Sequence, residues 1–401
     1  MGGGVYSYAM QAAAMVLARN TVGVSQVRRP ESADSPAFDL AYVRTGPRSE
    51  RPPTVVIPGG PGLGSILPYR TMRAIAARRG IDLIMVEHRG VGLSRHDLAG
   101  RDMPATAMRV VNVVDDIAAV LDREGVSRAQ IVGSSYGSYL ASSFGVMHPG
   151  RVSGMVLDSA LQSANELELE RQVLRGLLWD AASESARRVR ALAETGMDGR
   201  VLLDVVRAAY ELGGDRLLGS LLRRRLRSHR SWAWRALAAY ATRGESIARI
   251  PGVYEFDLAG TIGFRELGYG ALPDGLPLDP ACTYAPLASR FPAFEGEPFD
   301  LATETAAFTW PMALVSGARD LRTPPAIAAR TAAVAPQAVT VSLENGHSVL
   351  DTHPVALLNV IEWLAAGRQN ELPGIARQLD QLPRRGAAAR AQQLLECVLR
   401  V

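Results

Sequence analysis

From Phe38 onward, apolar runs too short to be helices alternate with stretches whose apolar positions recur at helical spacing. The runs are "FDLAYV", "TVVIPGG", "IDLIMVEHRG" and "AQIVGSS"; between them lie a helix around Tyr69 to Arg79 and the amphipathic "VVNVVDDIAAVLDREG". Strands apolar on both faces, in alternation with helices, predict an α/β protein with a mostly parallel central sheet and helices on both faces. After "VSGMVLDSA" the rhythm breaks, and from Asn165 to about Arg249 the pattern is helical in period with no convincing strand. It resumes with "PMALVSGARD", a helix from Pro324, the strand "AVTVSL" and a helix through "PVALLNVIEWLAAG". One sheet domain interrupted by an insertion is therefore expected. Residues 1–37 form a helical lead-in and first strand, 38–160 a first core segment, 161–305 a mostly helical cap, 306–368 a second core segment and 369–401 a helical extension.

Composition narrows the class. With 401 residues, 47% of them hydrophobic, the chain can bury a large core, and no apolar run reaches the length of a membrane span. A formal charge of +4 does not mark a nucleic-acid binder. All 44 basic residues are arginines, so no lysine is available as a Schiff-base or general-base group. Cys282 and Cys397 belong to no C-x-x-C pair, which argues against a disulfide framework and a structural zinc. The N-terminal "MGGGVYSYAMQAAAMVLARN" lacks the positive start and leucine-rich run of a secretory signal, so a cytoplasmic protein is expected. No metal or cofactor is implied, and the expected partner is a small-molecule or short-peptide substrate, with no nucleic acid and no membrane.

In "QIVGSSYGSYLA" the stretch Gly133-Ser134-Ser135-Tyr136-Gly137 matches G-x-S-x-G where a buried strand ends and a helix begins. A strand–turn–helix of this kind strains its central residue, so the residues two before and two after must be small; of the three nearby serines only Ser135 meets that condition. A serine hydroxyl needs a histidine to take its proton, and the histidine needs a carboxylate to hold its tautomer. "ALVSGARDLRTPP" puts Asp320 just past a strand, and "VSLENGHSVL" puts His347 in a loop after the next one. The order Ser135, Asp320, His347 is the one an α/β-hydrolase architecture requires. Glu344 and Asp351 flank His347 and compete with Asp320 less naturally, because they share its loop. His88, His96, His148, His229 and His353 read as surface or capping groups. The oxyanion donors expected are the N–H of Tyr136 and that of Gly60 in "PGGPGLGS", since Pro61 has no N–H to give.

Together "GGPG" at Gly59 to Gly62, "EHRGVGLS", "GSSYGSYLA", "HPGRVSGMVLDSA" and "SGARDLRTP" resemble the proline iminopeptidase and tripeptidyl aminopeptidase group of α/β-hydrolase serine peptidases. The resemblance covers most of Thr54 to Ala160 and Pro311 to Leu364, and it implies an α-helical cap inserted after the sixth strand. Pro58 is closer to the tripeptidyl branch, whereas Phe264 stands where secreted relatives often have the first of two cysteines, with Cys282 at the second position. The resemblance also makes Glu266 the candidate carboxylate for a substrate's free ammonium, against an ordinary pair with Arg265. The cap's "RRRLRSHRSWAWR" reads as a solvated arginine face with two tryptophans tucked inward. An aminopeptidase-like amide or ester hydrolase is the function expected. The alternative is an enzyme of specialised metabolism that acts on an ester, lactone or thioester or promotes a rearrangement or ring closure, while a purely binding role is disfavoured because all three triad positions are intact.

Overall fold

The computed structural model describes residues 12–228, 231–241, 249–385 and 397. Its main sheet has eight strands. Their spatial order is β1 (Val24–Arg29), β2 (Phe38–Thr45), β4 (Leu83–Val86), β3 (Thr54–Ile57), β5 (Ala129–Ser134), β6 (Val152–Asp158), β9 (Met312–Gly317) and β10 (Ala338–Leu343). β1 and β2 are antiparallel to their neighbours, and the strands from β4 to β10 run parallel.

Every residue of β3 and β5 is buried, because side chains on both faces meet apolar layers. Val55, Ile57 and Ile131 join one core with Val113, Ile117 and Tyr139; Val56 and Val132 join another with Met72, Leu357 and Ile361. Helices Val110–Arg123 and Tyr136–Met147 supply the first layer, and Arg70–Arg78 and Pro354–Ala365 the second.

Between β6 and β9 the chain leaves the sheet. Helices Glu166–Arg175, Glu184–Ala193, Gly199–Arg227 and Trp232–Ala241 enclose an aliphatic core of their own around Leu174, Leu203 and Leu221. The long helix is broken at Gly213 and at Gly214, whose φ of 63° and ψ of −163° suit glycine alone. A small hairpin, β7 (Arg249–Ile250) with β8 (Tyr254–Glu255), then leads into helix Phe256–Glu266. From 267 to 300 the chain has only 3₁₀ turns, so the helical character expected across 161–305 largely stops at Glu266. Aromatic rings consolidate this part: Phe264 stacks on Phe291 at 4.4 Å and Tyr269 on Tyr284 at 4.7 Å.

Two other expectations change. Trp234 turns inward at 5% exposure, but Trp232 is 58% exposed, so only one of the two tryptophans is tucked in. His229 lies outside the described residues, as do 1–11 of the lead-in and 386–401 of the extension apart from Cys397. The described extension is a 3₁₀ segment, Gln369–Ile375, and a short helix, Ala376–Asp380. Among the described residues no helix is long and apolar enough to cross a membrane.

Candidate active site

β5 ends in the G-x-S-x-G turn, and the turn can form only because its flanking residues lack a side chain. A Cβ on Gly133 would lie 2.0 Å from the Gly137 carbonyl oxygen, and one on Gly137 would lie 2.2 Å from that of Ile57. Ser135, between them, has a φ of 53°, the left-handed region that an ordinary residue avoids. Its N–H is held by the Asp158 carbonyl at 2.8 Å, and helix Tyr136–Met147 starts at the next residue.

The loops after β9 and β10 bring Asp320 and His347 to Ser135. They pack backbone on backbone, since a Cβ on Gly317 would stand 2.1 Å from the Gly346 carbonyl oxygen. His347 Nε2 is 3.0 Å from Ser135 Oγ, and Nδ1 is 3.1 and 3.0 Å from the two Asp320 oxygens. Asp320 also accepts from the Arg322 and Thr323 N–H groups, each at 3.0 Å, and from the Thr323 hydroxyl at 2.9 Å. Burial pushes the Asp320 carboxyl up, but the charge and hydrogen bond of His347 outweigh it, and its pKa falls below the ordinary value. Burial likewise works against the imidazolium, yet Asp320 holds His347 above its usual pKa. An imidazole so placed can accept a hydroxyl proton and remain stabilised once charged. The rival carboxylates are elsewhere: Glu344 is exposed beside Arg319, and Asp351 accepts from the Tyr69 and Ser348 hydroxyls at 2.8 and 2.6 Å.

Asp158, at the end of β6, is a member of this site that no motif marks. Fully buried, it accepts from the Ser134 hydroxyl at 2.6 Å and from the N–H groups of Val349 and Leu350 at 2.9 Å. One carboxylate thus ties the turn before Ser135 to the loop after His347. Burial raises its pKa to about 6 against those hydrogen bonds.

Gly59 and Gly60 line the cavity in front of Ser135, and a Cβ on Gly59 would stand 3.1 Å from that of Ser135. Gly60 N–H has no hydrogen-bond partner among the described residues, and Tyr136 N–H is the first of its helix, where no intrahelical acceptor exists. The Tyr136 side chain points away, to His88. His88 Nε2 is 3.0 Å from the Tyr136 hydroxyl, and the ring is buried, its pKa lowered to about 4 by desolvation. His353 is buried as well, so neither histidine is a surface group.

Glu266, the carboxylate that the resemblance offers for a substrate's ammonium, lies away from the cavity. Its carboxylate accepts from Val110 N–H at 2.7 Å and from Arg109 at 3.4 Å, closing the start of helix Val110–Arg123. It is 4% exposed and does not line the cavity. Three carboxylates do: Asp351 from the core, and Glu166 and Glu170 from the first helix of the insertion, four residues apart in "NELELE" and so on one helix face. Burial lifts Glu166 to about 8 and Glu170 to about 7. Glu170 pairs with Arg207 at 3.0 Å, whereas Glu166 accepts from backbone N–H groups, that of Gln162 at 3.1 Å, and has no ion pair among the described residues. The cavity measures about 310 Å³, and Leu63, Tyr254, Tyr269 and Tyr284 are among its other walls.

A proline iminopeptidase of Lactobacillus helveticus is 28% identical over 139 residues, 34% of this chain and 46% of its own. The chain spans less than half the length of the curated relatives it matches. Among solved structures, a proline iminopeptidase of Mycobacterium smegmatis superposes with a TM-score of 0.47 at 16% identity, over 89% of this chain and 99% of that one. The esterase RhEst1 of a Rhodococcus species gives 0.47 at 18% identity, over 85% and 98%. Residues 52–354 match the family described as the alpha/beta hydrolase fold, and the chain belongs to that family.

Proposed function

We propose that this chain is a serine hydrolase acting through an acyl-enzyme, and that its substrates are short peptides with a free amino terminus. The observation that carries the chemistry is the unbroken line of contacts from Ser135 Oγ through His347 to Asp320, each near 3.0 Å. Ser135 Oγ attacks the carbonyl carbon while His347 Nε2 takes its proton, and Asp320 steadies the imidazolium. The N–H groups of Gly60 and Tyr136 receive the oxyanion. His347 then passes the proton to the leaving nitrogen, and water, deprotonated by the same imidazole, releases the acyl group and restores Ser135.

The amino-terminal preference rests on Glu166, a buried cavity carboxylate without an ion-pair partner among the described residues, which a substrate ammonium can supply. The insertion acts as the cap that carries it. The free thiols of Cys282 and Cys397 fit a reducing cytoplasm. A fluorophosphonate should label Ser135; an adduct on Ser134 or Ser138, or none on the folded protein, removes the assignment. Aminoacyl naphthylamides should be cleaved at least tenfold faster than their N-acetyl forms, and Glu166→Gln should narrow that gap. Equal rates in the native enzyme discard the aminopeptidase reading.

One observation favours the second reading, an ester or thioester hydrolase of specialised metabolism. A cleft of about 670 Å³, walled by Phe264 and Phe291 with Glu168 and Arg171 among its lining, shares Ala164, Leu167, Gly268 and Ala271 with the cavity. Faster turnover of long-chain than of short-chain esters, with no aminopeptidase activity, selects it.

A further inference from the structure

The cavity contains two guanidinium groups, and they are not equivalent. Arg207 is 4% exposed and already engaged: one terminal nitrogen meets Glu170 at 3.0 Å and the other Asp204 at 2.8 Å. Arg322 has one side-chain bond, from Nε to Glu211 Oε2 at 3.2 Å. Its Nη1 and Nη2 have no partner among the described residues, and the side chain is 40% exposed although the residue lines the cavity. An arginine is always charged and carries five donors in a planar fork; with Nε occupied from behind, its outer edge offers a pair of N–H groups to a bidentate acceptor.

The position of that edge is fixed twice. Arg322 stands two residues beyond Asp320, and its own N–H is bonded to the Asp320 carboxylate at 3.0 Å. Glu211, on the long helix of the insertion, holds the guanidinium, accepts from Leu321 N–H at 3.4 Å, and gives its carbonyl to Arg319 Nε at 3.4 Å. Its backbone also abuts the histidine loop, because a Cβ on Gly346 would stand 2.6 Å from the Glu211 carbonyl oxygen. The guanidinium is therefore pre-set at the His347 side of the cavity, where the departing half of a substrate receives its proton.

We propose that Arg322 is a carboxylate-recognition residue, reading an anionic group on the part of the substrate that leaves. The inference rests on the hydrolase reading above and narrows it to short substrates that carry a carboxylate close to the scissile bond; for a peptide, that is one with both termini free. A monoanion fits better than a phosphate dianion, because Glu211 already places negative charge on the same guanidinium.

Two esters of one shape test it: 3-acetoxybenzoate, whose leaving group is anionic, and 3-acetoxybenzamide, whose leaving group is neutral. Native protein should hydrolyse the first with a kcat/KM at least tenfold higher, after correction for their rates in buffer. In Arg322→Met the ratio should fall to about one, and in Arg322→Lys it should lie between. Using the ratio within each protein cancels any damage that an unpaired Glu211 does to the loop. A native ratio near one, or an undiminished ratio in Arg322→Met, overturns the proposal. Should native protein hydrolyse neither ester, the hydrolase reading has failed by itself. Calorimetric binding of the same two compounds to native protein and to Arg322→Met then decides the carboxylate site by the same ratios.

Discussion

Behind the cavity, where β3, β5, β9 and β10 end, backbone meets backbone. Gly133, Gly137 and Gly317 stand where a Cβ would come within 2.0 to 2.2 Å of a carbonyl oxygen, so Ser135, Asp320 and His347 are held by contacts that allow no side chain at all. In front, on the insertion, the cavity wall is made of side chains. Glu166, Glu170, Arg207 and the aromatic rings of Tyr254, Tyr269 and Tyr284 line it. Under the proposed function, the contrast assigns to the rear wall whether a reaction can occur and to the front wall on what.

The comparison can be broken first at the rear. Asp320→Asn should lower kcat by roughly ten-thousand-fold, as in other triads, while the residual activity keeps its preference for free amines. Loss of that preference would show that the two walls are not independent. Gly317→Ala should cost more than about 4 kcal/mol in denaturant unfolding, because the methyl meets backbone that cannot give way. A third measurement is the pH profile. His347 must be neutral to take the proton, and Asp320 holds its pKa above the ordinary value of about 6.5. kcat/KM should therefore fall with pH, approaching tenfold per unit below a midpoint above 6.5; a midpoint well below it separates His347 from the acid limb.

The smaller effects belong to the front. Glu266→Gln should cost about 1–3 kcal/mol by weakening a buried charged acceptor at the start of helix Val110–Arg123, and should leave the ratio of free to acetylated substrates unchanged. A changed ratio would return Glu266 to the substrate site. Gly219→Ala, in the long helix of the insertion, has its nearest neighbour at 3.7 Å and should stabilise the protein by roughly 0.5–1 kcal/mol. Thermal unfolding measures it, and a loss of stability there would mean that the insertion is packed as tightly around its long helix as the rear wall is.

What the sequence made legible follows the same division. The sheet was readable because β3, β5 and β9 are buried on both faces and so read as unbroken apolar runs. Ser135, Asp320 and His347 were readable because strand-end turns leave a local signature in glycine spacing and chain order. Asp158 left none: its partners are Ser134 and the Val349 and Leu350 amides, 24 and about 191 residues away, and such pairing is invisible to spacing. Glu266 misled because an acidic residue at the right place in the chain says nothing about which helix end its carboxylate meets. Glu166 and Glu170 did leave a trace, an i, i+4 acidic pair opening the insertion, although solvated helices show the same pattern. Nothing local could have told Arg207 from Arg322 in a chain whose basic residues are all arginine.

The break at Gly213 and Gly214 has a consequence for how this segment can change over generations. In a continuous helix, gaining or losing one residue turns everything downstream by about 100° and re-aims every later side chain. Here the non-helical pair interrupts that angular inheritance, and Glu211 fastens the joint to the loop of Asp320. The limb after the break can lengthen, shorten or rotate while the one before it keeps its phase, with Arg207 still lining the cavity and Glu211 still bound to Arg322.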